Sequence, residues 1–200
     1  MHKWMKVLVS AAALGCAFTA AGVWAAETGP ATAMMLAPAK GSAKLNVTST
    51  SFQSNAPISD MYTQNGQNQS PALSWTAGPA GTQSYVVLTE DTGVQRPTPI
   101  DHWVVYNIPA NVTSLPQGMS KDARPSNPSG AMQGMNIAKA AGYVGPKPPA
   151  GQTHPYHFEV FALDTKLNLD PAMADRTAVV NAMKGHVLAS GEVVGMYTGK

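Results

Sequence analysis

Apolar and polar positions along the chain follow the two-residue period of β-strands in several short segments. The segments of strand length are 45–52, 70–75, 84–90, 102–108, 155–163 and 186–199. Two of them, 84–90 and 102–108, are apolar on both faces, which indicates central strands that are covered on both sides. We therefore predict a mainly β fold, an antiparallel β-sandwich with a few short helices. A bulge is expected near Gly191, because glycine inside a strand pattern often marks one.

One helix is predicted near the C-terminus, over residues 171–184. Asp170 is a good N-cap, Pro171 suits the first helical position, and Gly185 can adopt the left-handed conformation that ends a helix. The apolar positions expected to face the core are Met173, Val179, Val180 and Met183.

Residues 1–25 have the pattern of a secretory signal peptide, with two lysines, an apolar run and a cleavage site after Ala25. Two alternatives stay open: the run could remain as a membrane anchor, or Cys16 could be lipidated, although Ala13 stands where a lipobox has leucine. Residues 26–44 are rich in Ala, Pro, Gly and Thr without a period, and we expect a flexible spacer there. The folded domain is then predicted to span residues 45–200.

Charge and cysteine content narrow the class of protein once residues 1–25 are removed. The whole chain has 13 Lys and Arg against 11 Asp and Glu, and two of the lysines lie in the signal peptide. The mature chain is formally neutral, which argues against a nucleic-acid partner. Its one cysteine also leaves with the signal peptide, so the mature chain has neither a disulfide nor thiol chemistry.

The candidate polar residues fall at the ends of predicted strands. Asp91 follows segment 84–90, His102 begins the next strand, and His154 and Tyr156 begin a third, after a long Gly- and Pro-rich loop at 117–153. If the first two strands are antiparallel neighbours, Asp91 lies beside His102 and holds its ring. Such a set suits a phosphate or carboxylate, but capping and packing are also ordinary roles for these residues.

Other kinds of chemistry have weaker signals. His154 and His157 are three residues apart, which places them on opposite faces of a strand, so no metal site is predicted. The sequence has no G-x-S-x-G motif, and no cofactor is predicted. A Ser-His-Asp arrangement stays open because the chain has many serines.

Four segments, taken together, resemble the phosphatidylethanolamine-binding proteins, in their bacterial Raf-kinase-inhibitor-like branch. They are "SPALSW" (70–75), "TED" followed by "PTPIDHWVVYNIPANVTSLPQG" (89–91 and 97–118), "GYVGPKPPAGQTHPYHFEVFALDTKL" (142–167) and "AMKGHVLASGEVVGMY" (182–197). The resemblance implies a β-sandwich with a small surface pocket for phosphate-like head groups. It also implies six ligand-binding residues: Asp91, His102, Pro148, Pro149, His154 and Tyr156.

The chain departs from the family pattern at three positions near that pocket. Gly93 stands where a second acidic residue is usual, Lys147 precedes the paired prolines where a small residue or cysteine is commoner, and Pro155 separates His154 from Tyr156. The pocket therefore has one carboxylate fewer and one ammonium more, which favours anions on charge alone.

The leading hypothesis is a non-enzymatic binding protein that is periplasmic or secreted. It would bind a phosphate-bearing small molecule or a lipid head group, with His102 as a wall of the pocket and Trp103 facing the other way, into the sandwich. One alternative is a protein-interaction module that inhibits a protease or another enzyme. A second alternative is a hydrolase in which His102 acts as base and Asp91 orients it.

Overall fold

Two β-sheets and two short helices form the part of the protein that the computed structural model describes, residues 29–200. The predicted signal peptide and Cys16 lie outside the described residues. The strands are β1 (Val47–Thr48), β2 (Ala56–Pro57), β3 (Leu73–Trp75), β4 (Ser84–Asp91), β5 (Ile100–Pro109), β6 (Ser114–Leu115), β7 (Met132–Gln133), β8 (Thr153–Leu163) and β9 (Val187–Thr198). The helices are α1 (Ala33–Leu36) and α2 (Arg176–Met183).

The larger sheet has six strands in the order β2-β9-β8-β4-β5-β7, and the smaller has three in the order β1-β3-β6. Every pairing of these strands is antiparallel except that of β2 with β9. The predicted antiparallel sandwich is confirmed. Its three long central strands lie side by side, as expected for segments that are apolar on both faces.

The core between the two sheets is built from alternate positions of the central strands. Tyr156, Phe158, Val160 and Ala162 of β8 all lie in this core, as their two-residue spacing predicts. Trp103 of β5 lies there too and is fully buried. The opposite face of the large sheet has a second apolar cluster, so all eight residues of β4 are buried.

The predicted C-terminal helix is shorter and is interrupted. Asp170 caps only a 3-10 turn at Pro171–Met173, and α2 begins afresh after Asp175, whose side chain accepts a hydrogen bond from the Ala178 amide. Met173 is therefore 71% exposed, contrary to the prediction, whereas the expected core positions farther along are buried. These are Val179, Val180 and Met183. Gly185 does have a positive φ of 76° after the helix.

The stretch expected to be a flexible spacer is instead packed on the outer face of the large sheet over its described part, 29–44. It contains α1, and Ala33 and Ala37 are buried in the second apolar cluster. Small alanine side chains allow the backbone to approach the sheet closely. No periodic pattern predicted this ordered segment. Hydrogen bonds from its backbone amides help to hold it on the sheet, and such bonds leave no pattern in the side-chain composition.

Those backbone groups bind two buried carboxylates of the sheet. The Ala33 amide donates to Glu90 Oε2 at 3.0 Å, and the Met34 amide donates to Glu159 Oε1 at 3.2 Å. Arg176 of α2 forms an ion pair with Glu90 Oε1 at 2.6 Å and also donates to the Ala31 carbonyl at 2.8 Å. Segment 29–37 is thus attached to the sheet and to α2 through one buried charged network.

The pairing of β8 with β9 runs without interruption past Gly191, and the bulge expected near this residue lies three positions earlier in β9. The one irregularity is at Leu188, between the pairs of Ala162 and Leu163. Gly191 has a different role: a Cβ atom would lie 2.0 Å from the Leu45 carbonyl oxygen. Glycine is needed there because another stretch of backbone crosses the strand at close range.

Candidate anion-binding site

The antiparallel pairing of β4 with both β5 and β8 brings the predicted site residues to one edge of the large sheet. Asp91, the last residue of β4, pairs with Ile100 at the start of β5 and with Tyr156 near the start of β8. The neighbourhood expected from the sequence is therefore present. Loops 92–99 and 141–152 connect to these strand ends and rise above them.

A cavity of about 470 Å³ opens at this edge. Its lining residues are Asp91, Gly93, Val94, Gln95, Arg96, Ile100, Lys147, Pro148, Pro149, Gln152 and His154. Four of the six residues implied by the family resemblance are in this set, and His102 and Tyr156 are not. The volume suits a small ligand or a head group.

Asp91 and His154 form a buried pair in the cavity wall. The Nδ1 atom of His154 lies 2.9 and 3.0 Å from the two carboxylate oxygens of Asp91, and both side chains are less than 10% exposed. Asp91 also accepts the Gly93 amide at 2.8 Å, and Gln152 Oε1 lies 3.3 Å from His154 Nε2. The histidine ring is therefore held in one orientation from both sides.

His102 does not pair with Asp91, contrary to the sequence-based expectation. Its Nδ1 atom lies 2.7 Å from the Val144 carbonyl, and the Val144 amide donates to the His102 carbonyl at 2.9 Å. Burial lowers the pKa of His102 because it penalises the imidazolium, although the Val144 carbonyl opposes this. The side chain is thus a neutral group that attaches β5 to loop 141–152.

A β-bulge explains where the His102 ring points. The register between β4 and β5 shifts between the pairs Thr89 with Trp103 and Glu90 with Asp101, and His102 is the extra residue. Its ring packs edge-on against Tyr156 with centroids 5.2 Å apart, on the same side of the sheet as the Trp103 ring. The expectation that His102 and Trp103 face opposite ways is wrong, because a bulge places consecutive side chains on one face.

Tyr156 lies beneath the cavity wall and is fully buried. Within residues 29–200 its hydroxyl has no hydrogen-bond partner. Burial raises its pKa, and the nearby Asp91 carboxylate adds to the effect. Because the side chain is fully buried and does not line the cavity, Tyr156 supports the wall by packing against His102.

Gly93, where the family usually has an acidic residue, is in close contact with His154. A Cβ atom on Gly93 would lie 2.5 Å from the His154 Cγ atom and 2.8 Å from its Cβ atom. Any side chain at this position would displace the ring. The glycine at position 93, which departs from the family pattern, therefore leaves the space that the His154 ring occupies when it pairs with Asp91.

Sequence reasoning missed three polar residues of the cavity wall, Gln95, Arg96 and Gln152. All three lie in loops, where no periodicity shows which way a side chain points. Their position between recognisable motif residues was the only available signal. Arg96 is exposed, like Lys147, and neither side chain forms a hydrogen bond or an ion pair within the described part of the chain.

Residues 29–200 show neither a metal-binding cluster nor a membrane-spanning helix. No set of three or more His, Cys, Asp or Glu side chains is placed to hold a metal ion. None of the helices described there has both the length and the apolar character that crossing a bilayer requires.

The chain matches one known protein family over most of its length. A family model for "Phosphatidylethanolamine-binding protein" matches residues 48–198. The chain belongs to the phosphatidylethanolamine-binding protein family, and the resemblance seen in the sequence is confirmed.

Individual relatives cover most of the same region. A UPF0098 protein of Methanothermobacter thermautotrophicus is 37% identical over 76% of this chain and 98% of its own length. The UPF0098 protein YbhB of Escherichia coli is 37% identical over 66% of this chain and 84% of its own length. Among solved structures, Escherichia coli YbcL, described as a member of the mammalian family, matches with a TM-score of 0.73 and 32% identity over 79% of this chain and 100% of that one.

Proposed function

We propose that the protein binds a phosphate-bearing ligand, a small molecule or a lipid head group, in the cavity between loops 92–99 and 141–152. The supporting observation is the Asp91–His154 pair in the cavity wall, with its ring held by Gln152 on the other side. A ligand oxygen could replace Gln152 at the Nε2 atom of His154. A phosphate oxygen is an acceptor, so it would take the Nε2–H of a His154 ring that is protonated on both nitrogens, with the Nδ1–H donated to Asp91. Hydrogen bonds between charged groups of this kind are the strong ones.

The surroundings of His154 support the same ligand class. Arg96 and Lys147 add positive charge at the rim, while Pro148, Pro149 and Ile100 offer apolar surface for a carbon chain next to the phosphate. The Gly93 amide is already engaged by Asp91. Family membership agrees with a ligand-binding role.

The first test is calorimetric titration of the protein with O-phosphoethanolamine and with inorganic phosphate. We expect His154→Gln to weaken binding by about tenfold or more, since a hydrogen bond to a charged group contributes about 1.5–3 kcal/mol. Glutamine can still donate to Asp91, so the variant is expected to fold, which circular dichroism will check.

His186 offers a matched control for this variant. Its Nδ1 atom is 2.7 Å from Asp164 Oδ1, so it also forms an Asp–His pair, but it lies outside the cavity. His186→Gln should leave the affinity unchanged. Equal affinities of His154→Gln and the original protein would remove the support for binding at this site.

The same titration separates binding from hydrolysis. The sequence predicted His102 as the base of a hydrolase, with Asp91 orienting it. Asp91 pairs with His154 and not with His102, so in a hydrolase at this site the base would be His154. Release of inorganic phosphate from O-phosphoethanolamine, lost in His154→Gln, would favour a hydrolase. We expect binding without release.

We further propose that the protein acts in the periplasm or outside the cell, on the basis of the pattern of residues 1–25. The protein expressed from its full sequence in a Gram-negative host is expected in the periplasmic fraction, with Ala26 as its first residue by mass spectrometry. A mass that includes residues 1–25 would contradict cleavage, and a diacylglycerol adduct on Cys16 would favour the lipid-anchored alternative.

A further inference from the structure

Arg96 and Lys147 are the only arginine and lysine side chains among the described residues that line the proposed phosphate cavity. They belong to different loops, Arg96 to 92–99 and Lys147 to 141–152, so they approach the cavity from two sides. Both are exposed, and neither has an acidic partner in residues 29–200. Two cations are therefore available to a ligand that enters.

The one carboxylate in the cavity wall, that of Asp91, is engaged by neighbouring groups of the wall. Asp91 is buried, and its two oxygens accept from His154 Nδ1 and from the Gly93 amide. These two oxygens are therefore engaged within the wall, and neither forms an ion pair with Arg96 or Lys147. Gly93 replaces the second acidic residue that the family pattern would place in this loop. The cavity thus carries two cations at its rim, against one buried carboxylate in its wall that is hydrogen-bonded to its own neighbours.

We propose that Arg96 and Lys147 make this cavity selective for a dianionic ligand, a terminal phosphate monoester, over the singly charged phosphodiester of an intact phospholipid head group. This inference rests on the proposed function and assigns the charge class of its ligand. One dianion neutralises both cations, whereas a monoanion leaves one of them uncompensated. Coulomb attraction to the two cations doubles with the ligand charge, and because both side chains are exposed it is strongest at low ionic strength.

Methyl phosphate and methyl sulfate provide a matched pair of probes. They have nearly the same shape, but at pH 7.5 methyl phosphate carries close to two negative charges, since its second ionisation lies at about pH 6, and methyl sulfate carries one. We expect methyl phosphate to bind about tenfold more tightly in calorimetric titrations at low salt. Raising the ionic strength should reduce this preference.

The variants Arg96→Gln and Lys147→Gln assign the preference to the two cations. Each should weaken methyl phosphate binding by about three- to tenfold, with a smaller effect on methyl sulfate, and the double variant should lose the preference. Lys166→Gln is the control, because Lys166 is an exposed lysine just beyond the far end of β8.

The outcomes distinguish this inference from the proposed function on which it rests. Equal affinity for the two probes, or a preference that survives in the double variant, would overturn the inference while leaving phosphate binding in place. Failure of both probes and of inorganic phosphate to bind would overturn both. Tighter binding of dimethyl phosphate than of methyl phosphate would assign the cavity to a diester head group instead.

Discussion

Arg176→Ala is expected to lower the free energy of unfolding by about 3–5 kcal/mol, the usual cost of breaking a buried ion pair from one side. The change leaves Glu90 buried, with a side chain 1% exposed, and without its guanidinium partner. It also removes the hydrogen bond from Arg176 to the Ala31 carbonyl, which helps to hold segment 29–37 on the sheet. Urea denaturation at pH 7 measures the loss.

Two further variants separate the ion pair from other effects of the substitution. Arg124→Ala removes an exposed arginine, and its unfolding free energy should stay within about 0.5 kcal/mol of the original. The double variant Glu90→Gln with Arg176→Met should recover part of the loss, because uncharged groups do not carry the desolvation cost. A loss below about 1 kcal/mol in Arg176→Ala would show that the pair is not what stabilises this region.

The stability of the protein is expected to fall as the pH rises from about 4.5 to about 8, through the ionisation of Glu159. Burial, together with the charge of the neighbouring Glu90, raises the pKa of Glu159 to about 8. The folded protein then binds this proton more tightly than the unfolded chain does. The contribution of Glu159 to stability is therefore fully present below about pH 4.5 and is lost as the pH rises to about 8, at up to about 1.4 kcal/mol per pH unit.

Glu159→Gln isolates this contribution from that of every other titrating group. The variant keeps an oxygen for the Met34 amide but cannot ionise. Its unfolding free energy, measured in urea from pH 4.5 to 8.5, should fall less steeply with pH than that of the original protein. Asp122→Asn, a change at an exposed carboxylate, should leave the slope unchanged. Parallel curves for Glu159→Gln and the original protein would contradict the raised pKa.

The fold could be predicted from the sequence because its central strands carry strong local signals. In β8 the two-residue spacing correctly assigned one face to the core, and the apolar run of β4 correctly indicated a strand covered on both sides. The segment before Lys44 gave no such signal. Its order depends on backbone amides that bind Glu90 and Glu159, which are 57 and 125 residues away, and composition carries no information about such contacts.

The candidate site could be predicted as a neighbourhood but not as a set of contacts. The strand ends correctly placed Asp91 near the starts of β5 and β8. The predicted partner of Asp91, His102, was wrong. A bulge in β5 turns the His102 ring toward Tyr156, and His154 is the histidine that pairs with Asp91. Bulges depend on how two strands pair, so the sequence of β5 alone does not show where one occurs.

The most direct test of the central claim is an NMR titration of the protein with O-phosphoethanolamine. We expect saturable shifts of the His154 imidazole and of the Gly93, Lys147 and Gln152 amides, with the His186 imidazole unmoved as the internal reference. Shifts confined to this cavity would establish it as the phosphate site. An unchanged His154 signal at millimolar ligand, or shifts located elsewhere, would contradict the account and leave the family fold without its proposed site.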